Sequence, residues 1–291
     1  MPASEFSNDS LVTTVSAMTL LWLGWLLAKP VESPIHWFHW LLLGILLGVA
    51  ALTKLQALGL FVVAAAVGAG MMVQRRDWML PLRAILPVAL PALAIAGWWY
   101  WRNLALYGDW TGLTHLLDIN GRRVESIDLA DFWLEFRGLR YSFWGLFGWF
   151  NLLLPNWFYL VLDLLSIVAL GASLLLLIWR WVRPVSARIR SATNVLTMSW
   201  GWLLLTFALL VYWTLQAIGS QGRLLFPAIT TLGALFVFGL DGVTNRLPAM
   251  ARWGIWSALF ALLVGTNLYV LGWMLPAAYR QPASIAAMPA S

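Results

Sequence analysis

The chain lacks cysteine altogether and has few charged or imidazole side chains. Without cysteine it can form no disulfide, no thiolate metal site and no cysteine nucleophile. Its three histidines, His36, His39 and His115, leave little room for a histidine-rich metal site. Charged residues make up 10% of the chain, whereas a soluble domain carries about 25%. We therefore predict no cofactor and no metal site, with a divalent cation left open, and we do not expect a soluble domain.

What the chain does have is long apolar runs: 62% of its residues are hydrophobic, and its mean hydropathy is +0.80. Each run is close to the ~20 residues that a helix needs to cross a bilayer, which excludes a very apolar soluble bundle. The predicted fold class is all-α, a polytopic transmembrane helix bundle in which residues 1–281 form one domain and 282–291 a flexible tail. The predicted spans are residues 11–28, 35–53, 56–73, 84–105, 157–179, 196–217, 224–241 and 255–275.

The basic residues are concentrated in every second loop between these spans. Cytoplasmic loops carry an excess of Lys and Arg, so the alternation predicts that the N-terminus, the turn at Lys54, the loop 106–156, the turn 221–223 and the C-terminus lie outside. The net charge of +6 then follows from topology, and we expect membrane lipids and no nucleic acid as partners. The residues that set the orientation are Lys29, Arg75, Arg76, Arg83, Arg180, Arg183, Arg188, Arg190, Arg246 and Arg252.

The long outer loop 106–156 changes character halfway along. Its first part is polar and contains Arg122 and Arg123, which we interpret as a solvent-exposed pair. Its second part has apolar residues at helical spacing from Asp128, an expected N-cap, to residue 147. A helix of this kind lies along the membrane surface. Its apolar face is predicted to contain Leu129, Phe132, Trp133, Phe136, Phe143 and Phe147.

Apart from His36 and His39, Lys54 is the only ionisable residue in the apolar run Ile35–Val73. An ammonium group is costly in hydrocarbon and usually marks a water-filled cavity or an anionic partner. The predicted topology puts Lys54 at an outer turn, where its side chain has a simpler alternative, which is to reach back to water. Both interpretations stay open on the residue alone.

Two further polar features share the predicted outer face with Lys54. Asp9 and its neighbour Asn8 stand at the start of the first span, and Arg223 follows Gln221 at the mouth of the seventh. A carboxylate beside two cations suits a phosphate ligand, because the cations hold the phosphate. The carboxylate is then free to orient a hydroxyl or to act as a base. The alternative is again that each residue caps a helix end in contact with water.

Other polar residues also allow more than one interpretation. Arg102 closes the fourth span after an aromatic run, either as a phosphate contact or as an interfacial anchor. Asp163 lies inside the fifth span, where an ionisable group is functional by default and either lines a cavity or pairs with another span. Three loop residues offer ligands for a divalent cation, although their spacing matches no known metal signature: Asp109, His115 and Asp118.

Four short segments contain most of these polar residues: Asn8–Leu11, Gly48–Lys54, Arg102–Asp109 and Gln221–Pro227. They resemble the N-D-x-L, G-x-A-x-L-T-K, R-N-x-x-x-Y-G-D and Q-G-R-x-L-F-P segments of the membrane-embedded GT-C superfamily of glycosyltransferases. The nearest groups are glycosyltransferase family 39 and the RgtA/B/C/D-like bacterial proteins. All four segments occur in the family's order, and each lies on the side of the membrane that the family requires. The resemblance covers nearly the whole chain.

The resemblance implies that a sugar passes from a polyprenyl-phosphate or pyrophosphate donor to a lipid, glycan or protein acceptor. The transfer would be an inverting displacement at the outer face of the cytoplasmic (inner) membrane. The loop helix 128–147 would cover the access of the lipid. Lys54 and Arg223, with Arg102, would hold the donor phosphate. The residues expected to face the same cavity are Asp9, Asn8, Gln221 and Asp109.

The chain departs from the family in one respect. The family's catalytic carboxylate lies in an outer loop that precedes the N-D segment, and here that segment begins at Asn8. No residue inherits the role of base, so no catalytic residue is predicted. We expect a C-terminal portion that lacks its N-terminal part and does not catalyse by itself. The alternatives are a transporter or flippase for a lipid-linked or anionic substrate, and a membrane scaffold without catalysis.

Overall fold

The fold is a bundle of apolar helices, seen in a computed structural model that describes residues 8–124, 127–148, 151–183, 185–217 and 221–280. Within these residues, seven helical stretches are long and apolar enough to cross a membrane, and Trp37–Thr53 is a shorter apolar helix. All eight coincide with predicted spans, so the prediction of a polytopic all-α bundle is confirmed. The tail 282–291 lies outside the described residues.

The regular elements follow one another with short connections, apart from the loop that contains α6 and α7. The helices are α1 Asp9–Ala28, α2 Trp37–Thr53, α3 Gly59–Arg75, α4 Leu80–Ala92, α5 Trp98–Tyr107, α6 Leu113–Asn120, α7 Leu129–Trp144, α8 Asn156–Val182, α9 Ala187–Gln216, α10 Ile229–Thr244, α11 Ala249–Tyr269 and α12 Leu275–Ala278, and the strands are β1 Leu146–Phe147 and β2 Leu152–Leu153.

The span formed by α4 and α5 is interrupted by a π-helical segment, Leu93–Gly97. Pro87 and Pro91 lie inside α4 just before it. Each proline removes a backbone donor and crowds the preceding turn, so the regular hydrogen-bond ladder does not continue through this stretch. The change of helix type comes directly after the two prolines.

Close helix packing in the bundle depends on glycines that face another backbone. A Cβ on Gly239 of α10 would lie 1.8 Å from the carbonyl oxygen of Ala169 in α8. A Cβ on Gly44 of α2 would lie 2.4 Å from the carbonyl oxygen of Val88 in α4. Only glycine permits these approaches, and both helix pairs are in extensive contact. By contrast, no residue of α11 is buried.

The basic loops meet at one end of the bundle. The Arg75 guanidinium, at the end of α3, donates hydrogen bonds of 2.8 Å to the carbonyl oxygens of Val31 and Ser33. The hydroxyl of Ser191, in the first turns of α9, donates to the carbonyl oxygen of Leu27 over 3.3 Å. Three of the predicted cytoplasmic segments are thus neighbours, as the alternation of charge predicts.

The outer loop folds into α6, α7 and a small hairpin. Asp128 caps α7, because its carboxylate accepts a hydrogen bond of 2.7 Å from the backbone N–H of Asp131, as predicted. The predicted extension of this helix to residue 147 is wrong. The helix ends at Trp144, and Phe147 lies in β1, paired with Leu152 of β2. The backbone leaves the helical conformation at Gly145, although the apolar spacing continues beyond it.

Candidate functional site

Asp9 is the centre of a polar cluster at the end of the bundle opposite the basic loops. Its carboxylate accepts a hydrogen bond of 2.5 Å from the Lys54 ammonium and lies 4.0 Å from the Arg223 guanidinium. The side chains of Asp9 and Lys54 are 11% and 19% exposed, whereas that of Arg223 is 52% exposed. The structure thus brings together three residues that stand at positions 9, 54 and 223 of the chain.

The end of α2 holds Lys54 in place. The last carbonyl groups of a helix have no partner inside it, and here two of them accept hydrogen bonds from other parts of the chain. Asn8 donates its amide to the carbonyl oxygen of Thr53 over 2.6 Å, and the Tyr100 hydroxyl donates to that of Ala51 over 2.8 Å. Lys54 itself has extended backbone angles, so the chain leaves α2 at the point where its side chain meets Asp9.

Arg223 is positioned by a helical 3-10 segment, Gly222–Ala228, at the start of the seventh span. The indole N–H of Trp202, a fully buried residue of α9, donates to the carbonyl oxygen of Pro227 over 3.1 Å. The Thr13 hydroxyl of α1 donates to the backbone carbonyl oxygen of Asp9 over 2.7 Å and also lies 3.3 Å from that of Phe226. Two spans therefore fix the segment from which the Arg223 guanidinium reaches towards Asp9.

Gly222 allows the outer helix α7 to pack against this same segment. Its backbone N–H donates to the Ser142 hydroxyl over 2.8 Å. A Cβ at this position would lie 2.3 Å from the backbone nitrogen of Phe143 and 2.4 Å from its Cα. A glycine is therefore required before Arg223, and this requirement gives a structural reason for the Gln-Gly-Arg sequence.

The cluster has the chemistry of an anion-binding site. Two cations face one carboxylate, which leaves a formal charge of +1. A guanidinium has five N–H donors in a planar fork that matches phosphate and carboxylate oxygens. At 4.0 Å, Arg223 is an ion-pair partner of Asp9 and not a close hydrogen-bond donor to it. Because its side chain is half-exposed, its donors are accessible to a ligand.

Arg102 and Asp109 are not joined to Asp9 by any hydrogen bond or ion pair among the described residues. Arg102 is exposed and lies over the Trp99 ring, 5.3 Å from its centroid, which is the arrangement of an interfacial anchor. Asp109 accepts hydrogen bonds from the backbone N–H groups of Thr111 and Thr114, over 2.9 and 3.1 Å. These bonds, with that from Thr114 first, lower the pKa of Asp109 to about 2. Its observed contacts are therefore those of a loop and helix-start cap.

The ligands suggested for a divalent cation have other partners. Asp109 is used as a cap, the His115 ring stacks on Tyr107 with centroids 4.4 Å apart, and Asp118 forms an ion pair of 3.1 Å with Arg122. Within the part of the chain that the structure describes, no group of three metal-ligating side chains is close enough to hold an ion.

Arg123 corrects the interpretation of the Arg122–Arg123 pair as simply solvent-exposed. The Arg122 side chain is 51% exposed, but that of Arg123 is 14% exposed. The Arg123 guanidinium forms an ion pair with Glu135 of α7 and donates over 3.1 Å to the carbonyl oxygen of Thr214 in α9. It ties the outer loop to the end of a membrane span, and no local sequence pattern signals such a long-range contact.

Asp163, the ionisable residue inside the fifth span, pairs with the outer helix. The Arg140 guanidinium of α7 contacts one carboxylate oxygen of Asp163 through Nε at 2.6 Å and through a terminal nitrogen at 2.5 Å. The pair lies at the edge of a cavity of about 1190 Å³ that is lined by α7, α8, α10 and α11. Asp163 therefore both lines a cavity and forms an ion pair. Its partner belongs to the loop helix α7 and not to another span.

Comparison of the chain with protein-family models, with curated proteins and with solved structures gives no match. Assignment to a known family therefore has no support beyond the four sequence segments.

Proposed function

We propose that this membrane-embedded protein acts with lipid-linked sugars, as a glycosyltransferase-like protein of the cytoplasmic membrane that binds a polyprenyl-phosphate donor on the outer face. Arg223 and Lys54 bind the phosphate, and Asp9 keeps the two cations in position and faces the sugar. The part that we propose for this chain is donor binding, in the transfer of the sugar to a lipid, glycan or protein acceptor.

The observation that carries this proposal is the meeting of Asp9, Lys54 and Arg223. The three residues come from α1, from the end of α2 and from the start of the seventh span. The segment that carries Arg223 is also contacted by two other spans, at the carbonyl oxygens of Pro227 and Phe226. The half-exposed guanidinium beside a buried ion pair is well suited to an anionic headgroup at the membrane surface.

The proposal is tested by binding of a short-chain polyprenyl phosphate to the purified protein, measured by native mass spectrometry. We expect Arg223→Gln to weaken binding about tenfold, the loss expected for one charge-assisted hydrogen bond to a phosphate. Lys54→Gln should weaken phosphate binding further. This change removes a cation and also leaves the Asp9 carboxylate, which repels a phosphate, without its Lys54 partner.

The matched control is Arg183→Gln. Arg183 is an exposed residue at the opposite end of the bundle, where it begins a basic loop and lies over the Trp179 ring. This variant should bind the carrier phosphate as well as the unaltered protein does. Equal binding by the Arg223→Gln and Arg183→Gln proteins would remove the donor-binding role from the cluster.

A further inference from the structure

A large cavity of the molecule has no role in the proposed donor site. It lies beneath α7 and has a volume of about 1190 Å³, above the roughly 300–1,000 Å³ of ordinary small-molecule sites. Residues of α8, α10 and α11 line it, together with Phe207 of α9 and Leu225. Because no residue of α11 is buried, this cavity is a gap between one loosely packed span and the rest of the bundle.

The depth of the cavity matches one leaflet of a bilayer. Along α10 it extends from Ile229 to Leu240, a rise of about 16 Å at 1.5 Å per residue. The hydrocarbon core of a membrane is about 30 Å thick, so one leaflet is about 15 Å. Along α8 the lining residues extend from Leu160 to Leu170 and include Asp163. An amphiphile with its head under α7 and chains of leaflet length therefore fits the space.

The head of the cavity carries an excess of positive charge. Arg137 and Arg140, one helical turn apart on α7, both line it, and Asp163 is the carboxylate opposite them. Arg140 is paired with Asp163, whereas Arg137 is exposed and forms no ion pair among the described residues. Two guanidinium groups against one carboxylate leave a charge of +1, which suits a phosphate.

We propose that this cavity binds an anionic phospholipid from the surrounding outer leaflet. Its acyl chains lie between α8, α10 and α11, and its phosphate contacts Arg137 and Arg140. At this depth the surrounding medium is bilayer lipid and not water. If the cavity were empty, its apolar lining residues would lose dispersion contacts, so a lipid is expected to fill it. A polyprenyl chain is longer than one leaflet, whereas the cavity ends at leaflet depth. The bound lipid completes the packing of α11 and supports α7, independently of the proposed donor site.

The test places the purified protein in nanodiscs of equal parts phosphatidylglycerol and phosphatidylcholine and counts retained lipids by native mass spectrometry. We expect phosphatidylglycerol to be retained about tenfold over phosphatidylcholine, because both lipids carry a phosphate but the choline ammonium of phosphatidylcholine is repelled by Arg137 and Arg140. Arg137→Gln should abolish most of this preference, and Arg183→Gln should leave it unchanged.

A second pair of variants tests the cavity without touching its charges. Gly233 of α10 lines the cavity, and a Cβ there would meet no atom within 4 Å. Gly233→Phe should therefore fill the space and expel the lipid while the protein stays folded. Gly201→Phe is the matched control, because Gly201 of α9 also has no atom within 4 Å of its Cβ position but does not line the cavity.

Three results would overturn the proposal. The first is equal retention of the two lipids by the unaltered protein, and the second is equal lipid retention by the Gly233→Phe and Gly201→Phe proteins. The third is displacement of retained phosphatidylglycerol by added polyprenyl phosphate, which would assign the cavity to the carrier. A failed donor-binding test at Arg223 would not affect the lipid proposal, because neither Arg137 nor Gly233 belongs to the Asp9 cluster or holds one of its residues in place.

Discussion

At the scale of single residues, the Asp9–Lys54 ion pair matters most because both side chains are largely removed from water. A buried ion pair contributes little net stability, since desolvation of the charges offsets their attraction. The removal of one partner is costly, because the other charge stays in place without its counterion. A requirement for charge at this place therefore explains the pair better than a gain in stability does.

We predict that Lys54→Met destabilises the protein more than the double variant Asp9→Asn/Lys54→Met does. The single change leaves a carboxylate without its nearest cation, at a cost of about 2 kcal/mol, below the range for fully buried pairs because water reaches both groups. Thermal unfolding in detergent, followed by tryptophan fluorescence, measures the difference. If the single variant unfolds at the temperature of the unaltered protein, the pair is not buried as described.

Asp109 makes the outer loop sensitive to acid. Its pKa, about 2 in the folded protein, lies below the ~3.9 of an unfolded chain. The hydrogen bonds from Thr114 and Thr111 therefore stabilise the loop fully above pH 4, and this contribution is lost as the pH falls towards 2. We predict that Asp109→Ala lowers loop stability by about 1 kcal/mol at neutral pH and has little effect at pH 2. Proteolysis of the loop at both pH values, with an acid-stable protease, measures this.

At the scale of helices, the bundle is built from close backbone approaches that single glycines permit. The approach of α10 to α8 is the tightest of these, since a Cβ on Gly239 would lie 1.8 Å from a backbone oxygen that cannot move aside cheaply. Membrane helices depend on such contacts, because lipid tails are as apolar as the side chains and supply no hydrophobic drive for association.

We predict that Gly239→Ala strongly destabilises the bundle, by about 2 kcal/mol, because overpacking forces the two helices apart. Gly233→Ala in the same helix is the control, because its Cβ would meet no atom within 4 Å and alanine favours a helix. Thermal unfolding of both variants decides the point. Similar unfolding temperatures for the two proteins would show that α8 and α10 do not pack at Gly239.

The helices themselves could be predicted from sequence, while the contacts of the outer loop could not. Two kinds of local signal predict helices: apolar runs of span length, and Asp128 just before an amphipathic run. The structure has a helix at each of them. The end of α7 before Phe147 cannot be predicted from the apolar spacing, because that spacing continues beyond Trp144. The partners of Arg123 and Asp163 lie far along the chain, and no local pattern encodes them.

At the scale of the whole molecule, the two ends of the bundle differ in chemistry. One end gathers the basic loops, held by Arg75 and Ser191. The other end holds the Asp9 cluster, the outer helix α7 and the head of the lipid-sized cavity. The alternation of charge along the sequence predicts this separation, and residues far apart in sequence come together at each end. The proposed donor binding on the outer face requires that the end with the Asp9 cluster lies on the extracytoplasmic side.

The absence of cysteine makes this assignment directly measurable, because a single introduced cysteine is the only thiol in the protein. Arg223→Cys and Arg246→Cys place exposed thiols at the opposite ends. In intact cells treated with a membrane-impermeant maleimide, we predict that position 223 is labelled and that position 246 is labelled only after permeabilisation. Labelling of position 246 in intact cells, with position 223 protected until the membrane is opened, would contradict the account.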